Sequence, residues 1–130
     1  MNALAARITA WEGAAGSRIG NVTVTNTSPT PCRLPATPSL ALVDGSGTVL
    51  IEGRKTGTGT IRLAAGASVT TLVAASNYCG PQPTPPVRID FELPTGSLLA
   101  APPSPTDATV PPCNGATVPA SIEMQPWSRA

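Results

Sequence analysis

The sequence predicts an all-β fold: an antiparallel β-sandwich of seven to eight short strands joined by turns and long proline-rich loops. Three observations carry that prediction. Sixteen prolines and twelve glycines punctuate the 130-residue chain, too often for long helices. The apolar segments between them are short, and several alternate with a period of two, as a sheet with one buried face requires. No amphipathic helical pattern competes with them.

The strand candidates come in order. "ARITAW" (Ala6 to Trp11) alternates loosely. "GNVTVTNT" alternates cleanly, with Val22 and Val24 on one face and Thr23 and Thr25 on the other. "SLALVD" and "TVLIEG" flank "DGSG", a turn signal, and read as a hairpin. "TIRLAAGASVTTLVAAS" holds two candidates broken at Gly66; its alanines suggest a helix, but Val69, Thr70 and Thr71 are β-branched and favour strand. "VRIDFEL" is the clearest strand. Val87, Ile89, Phe91 and Leu93 face one way, and Arg88, Asp90 and Glu92 the other. The first face is expected to be buried with Val22, Val24, Leu40 and Leu42. "SIEMQPW" closes the chain. "CGPQPTPPV" and "AAPPSPTDATVPPCNGATVPA" are proline-rich and read as surface loops.

Length suits one domain, residues 1–130. Hydrophobic residues make up 41% but aromatics only 3%, so the core is aliphatic. Charged residues are 12% with a formal net charge of +1, a balance that favours neither nucleic acid nor an anionic membrane as partner. No apolar run is long enough to span a bilayer. The start "MNALAARITAWEG" lacks the features of a signal peptide. Lysine scarcity, threonine and proline richness and the cysteines nonetheless suggest an exported domain, so a native leader is expected to have been removed ahead of Met1.

Little in the chain looks catalytic. Histidine is absent, which removes Ser-His and Cys-His pairs and His-containing metal sites. Cys32, Cys79 and Cys113 contain no C-x-x-C. A Ser-Lys dyad would need Lys55, in the glycine-rich "EGRKTGTGT", where a solvated loop lysine is the ordinary reading. Asp90 and Glu92 share one strand face and could form an acid-base pair. Their company with Arg88 reads more simply as a solvent-facing charged side. Asp44 in "DGSG" fits the hairpin turn better than a calcium loop, which needs more oxygen ligands. "GTGTGT" lacks the ending of a phosphate loop. "NVT" at Asn21 and "NTS" at Asn26 match the glycosylation triplet. Trp11 reads as buried packing, and Trp127 divides evenly between packing and exposure. We therefore expect no catalytic residue, cofactor or metal.

The residues also spell out a pattern. "ITAWEGAAGSRIGNVTVTNTSPTPCRL" carries a Gly-Ala-Ala-Gly turn, a strand ending in Thr-Asn-Thr, and Pro-Cys-x-Leu. "LALVDGSGTVL", "IRLAAGASVTTLVAASNYCG" and "PPCNGATVPASIEMQPW" continue it over nearly the whole chain. Together they resemble domain of unknown function 4232, a family of actinobacterial exported proteins and lipoproteins. The resemblance implies an immunoglobulin-like sandwich outside the cytoplasmic membrane and no established activity. Members usually carry a further cysteine before the first strand, paired with the one in Pro-Cys-x-Leu; here that position falls at or before Met1, leaving Cys32 without it. On that basis a Cys79–Cys113 disulfide and a free Cys32 thiol are expected. Both bonded cysteines would sit beside the proline-rich loops flanking "VRIDFEL". A Cys32–Cys79 bridge between sheets is the rival. The expected role is a non-enzymatic envelope module, monomer or weak dimer, binding a protein or cell-wall ligand. A small envelope hydrolase or a structural spacer are the alternatives.

Overall fold

The computed structural model describes residues 4–53 and 57–130; Lys55 lies outside them. Eleven strands are present among the described residues: β1 (Leu4–Ala14), β2 (Ser17–Asn26), β3 (Cys32–Pro35), β4 (Leu40–Val43), β5 (Val49–Gly53), β6 (Thr60–Leu63), β7 (Ser68–Ser76), β8 (Arg88–Leu93), β9 (Gly96–Ala100), β10 (Ser121–Met124) and β11 (Ser128–Arg129). There is no helix among the described residues.

One sheet runs β1-β2-β7-β10, with β11 also on β7; the second runs β5-β4-β8-β9; β3 and β6 form a separate ladder. Every ladder is antiparallel. The inner faces of the two large sheets enclose an aliphatic core, as a sandwich requires. Val22, Val24, Val69 and Val73 come from the first sheet, and Leu40, Leu42, Ile89 and Phe91 from the second. Leu34 of β3 and Leu63 of β6 add to it. Val87, just ahead of β8, is fully buried, and Leu93 at its far end is half-buried against the cluster.

Local sequence explains the irregularities. β1 alternates loosely because its register against β2 shifts between Ile8 and Ala10. That bulge inserts Thr9 and resets the phase, so that Ile8 and Trp11 both reach the core cluster. Trp11 is half-buried and lies over Gly20, where an added Cβ would come within 3.2 Å of the indole. The alanine-rich stretch is strand, not helix. Gly66, at φ +74°, turns β6 into β7. Three strands lay outside the predicted set. β9 follows β8 through the two-residue loop Pro94–Thr95, which lacks the usual Asn-Gly signature. β3, "CRLP", follows directly on Pro31 and ends in Pro35, and β11 has only two residues. Trp127 packs on Phe91 with ring centroids 5.6 Å apart and donates its Nε1–H to Pro35 O at 2.9 Å.

The outer face of β8 departs from a solvated charged side. Glu92 is exposed and Arg88 half-buried, but Asp90 is only 9% exposed. Strand pairing sets it between Ala41 of β4 and Leu99 of β9, its direct neighbours on either side, where neither offers a charged partner.

Candidate functional site

Four connections meet at one end of the sandwich: the β1–β2 turn, the β4–β5 turn, the loop from β7 to β8, and the long segment from β9 to β10. Short polar side chains hold them together. The β4–β5 turn is built on Asp44. Its Oδ1 accepts from Ser46 N at 3.0 Å, Ser46 Oγ at 2.7 Å and Thr48 N at 3.1 Å, while Oδ2 accepts from Thr84 N at 3.0 Å. The Ser46 hydroxyl first, then the Thr84 amide, lower the carboxyl pKa from 3.8 to about 2. Asp44 thus closes its own turn and fastens it to the neighbouring loop. Gly45 sits so close to that loop that a Cβ would lie 2.1 Å from Pro85 O.

The chain leaves β7 through Asn77, which is buried at φ 61°, a left-handed conformation that asparagine tolerates better than most residues. Its Nδ2 donates to Gly115 O at 3.0 Å and Val118 O at 2.6 Å, and its Oδ1 accepts from Asn114 N at 2.6 Å. Two residues on, Cys79 is bonded to Cys113 with Cα atoms 4.7 Å apart. Val87 N donates to Asp107 O at 2.9 Å. The two proline-rich segments are therefore locked side by side, and prolines with restricted φ stiffen both.

Between the Asp44 turn and residues 80–84 runs a groove of about 440 Å³, lined by Ser46, Thr48, Tyr78, Gln82 and Thr84 among others. Tyr78 donates its hydroxyl to Pro81 O at 2.6 Å. Asp44 is the one charged side chain among the described lining residues; its Oδ1 is taken up by the turn and its Oδ2 by Thr84 N of the neighbouring loop. Its described lining residues offer hydroxyls, an amide and proline faces.

The second cluster of sequence interest lies on the outer face of β8. Ser97 Oγ stands 3.2 Å from Asp90 Oδ2 and 3.4 Å from Glu92 Oε1, so one hydroxyl serves both carboxylates. Burial raises the Asp90 pKa, the Glu92 charge adds to the rise, and the Ser97 hydroxyl and Arg88 oppose it. Asp90 Oδ1 and Arg88 Nε are buried without a partner. Arg88 uses Nη2 to hold Asp44 O at 3.0 Å.

The remaining candidates are scattered. Cys32 is a free, half-buried thiol packed against the core on β3, opposite Leu63. Asn26 is fully buried and fixes the turn that follows β2. Its Nδ2 donates to Thr30 O, Leu63 O and Ala64 O, and its Oδ1 accepts from Ser28. An amide so enclosed is closed to glycosylation in the folded chain. Asn21 donates to Glu12 Oε2 at 2.8 Å. Among the described residues no group of three or more His, Cys, Asp or Glu converges as a metal site, and no helix is long and apolar enough to cross a membrane. Sequence reasoning missed Asn77 and the clamping role of Asn26. Their signal was slight: Asn26 ends β2 and Asn77 follows β7 directly, each at the next inward position of the alternation.

These features define a class: an antiparallel sandwich whose loop end is locked by a disulfide and amide clamps. Residues 1–128 match the family described as "Domain of unknown function (DUF4232)", and the chain belongs to it. Searches of the curated proteins and of the solved structures returned no match.

Proposed function

We propose that this domain is a non-catalytic module working outside the cytoplasmic membrane, binding a neutral polar ligand or partner at its loop end. The observation that carries the reading is the Cys79–Cys113 bond across the two proline-rich segments. Such structural bonds persist in oxidising compartments, and this one fixes a groove wall before any ligand arrives, which lowers the ordering cost of binding. The actinobacterial envelope implied by the sequence resemblance agrees with that setting. Native cells treated with a thiol-blocking reagent and then fractionated supply the test. The protein should be found outside the cytoplasm with Cys79 and Cys113 oxidised; a cytoplasmic protein with both thiols blocked overturns the reading.

A small hydrolase is the second reading, favoured by Asp90 and Glu92 with the raised Asp90 pKa. Against it, the partnerless Asp90 Oδ1 is buried, and the neighbouring Ser97 hydroxyl has no base beyond these carboxylates to activate it. Turnover in a broad hydrolase screen that disappears in Asp90→Asn would establish the second reading and displace the first.

A further inference from the structure

The chain contains one Asn-Gly pair, Asn114–Gly115, placed in the strand-free segment that closes the loop end. Asn114 is exposed. Its Nδ2 donates to Gly16 O at 3.1 Å, linking the closing segment to the β1–β2 turn across 98 residues of sequence. The contact is close: a Cβ on Gly16 would lie 2.8 Å from that same nitrogen. We propose that Asn114–Gly115 is a self-modifying site, converting spontaneously to an aspartyl or isoaspartyl linkage and so releasing the β1–β2 turn from the closing segment.

The chemistry needs only the chain and water. The backbone nitrogen of Gly115 attacks Cγ of Asn114. The new N–Cγ bond forms, the Cγ–Nδ2 bond breaks, and the proton lost from the attacking nitrogen leaves with the side-chain nitrogen as ammonia. One water then opens the five-membered imide at either carbonyl, giving the aspartyl or the isoaspartyl product; nothing is oxidised or reduced. Asparagine is among the thermolabile residues, and glycine after it leaves the attacking nitrogen uncrowded by a Cβ. The other described asparagines lack these conditions. Asn21 lies within β2 and precedes Val22. Asn26 and Asn77 are buried, and precede Thr27 and Tyr78.

The product reverses the polarity of the contact. Where an N–H met the Gly16 carbonyl, a carboxylate oxygen faces it, and two acceptors repel. The effect stays local, because the Cys79–Cys113 bond and the Asn77 clamp hold the segment on its other side.

The test incubates the intact folded protein in mildly alkaline buffer, with peptide mass mapping, isoaspartate detection and backbone hydrogen exchange over time. The amide-to-acid mass change should accumulate at Asn114 several-fold faster than at Asn21, Asn26 or Asn77, should quicken as pH rises, and should yield both products. Converted protein should exchange faster in the β1–β2 turn. Asn114→Asp should show that faster exchange from the outset, and Asn114→Gln should resist conversion. Conversion at Asn114 no faster than at the other asparagines overturns the site. Unchanged exchange of the turn in converted protein and in Asn114→Asp overturns the release.

Discussion

Two aspartates on this fold answer to opposite rules, and pH separates them. Asp44 has a folded pKa of about 2, below its ordinary 3.8, because its turn hydrogen-bonds the ionised form. Its stabilising effect is complete above the unfolded value and is lost as pH falls towards about 2. Asp44→Asn should therefore be less stable than the parent at neutral pH, since an amide N–H would confront the Thr84 N–H or the Ser46 and Thr48 donors. The difference should narrow in chemical denaturation between about pH 4 and 2. Asp90 is raised, first by burial. Its ionised form disfavours folding at neutral pH, and protonation relieves this as pH falls through the folded value. Asp90→Asn should raise the neutral-pH melting temperature, with the gain shrinking on acidification; a lower neutral melting temperature would contradict the assignment. Asp44 was legible in "DGSG" because turn chemistry is local. Asp90 was not, because its neighbours in the sheet are set by strand pairing: Ala41 lies on β4 and Leu99 on β9, a strand with no visible period of its own.

At the scale of elements, β2 and β8 were readable because one buried face imposes strict alternation. β1 was blurred by its bulge. β9 was hidden by a Pro-Thr turn and by "GSLLA", whose two leucines adjoin and so break the period. Close backbone approaches were equally invisible. Gly53 ends β5 where a Cβ would lie 2.2 Å from Ile122 O, so Gly53→Ala should push β5 from β10 and cost about 1–3 kcal/mol in urea titration. Asn77 anchors the closing segment at the end of β7. Asn77→Ala removes the side-chain partner of Val118 O and of the Asn114 N–H and one of the two donors to Gly115 O, and should cost about 1–3 kcal/mol by the same measurement.

For the whole molecule, the aliphatic core could be named from the sequence, while the arrangement of the loop end could not. Polar clamps such as Asn77 act between segments with no shared periodicity, and cysteine spacing alone leaves the pairing open. The core rests on few aromatics, so Phe91→Ala, which also removes the ring that Trp127 packs against, should cost about 3–5 kcal/mol. The Cys79–Cys113 bond spans 34 residues of sequence and should contribute about 3–4 kcal/mol in the chain-entropy picture. That bond joins the proline-rich segments beside the groove and carries the function proposed above. Its most direct test is mass mapping of the unreduced protein after alkylation under denaturing conditions. Cys79 and Cys113 should appear in one linked peptide pair, with the alkyl label on Cys32 alone. Label on Cys79 or Cys113, or a peptide pair containing Cys32, would contradict it.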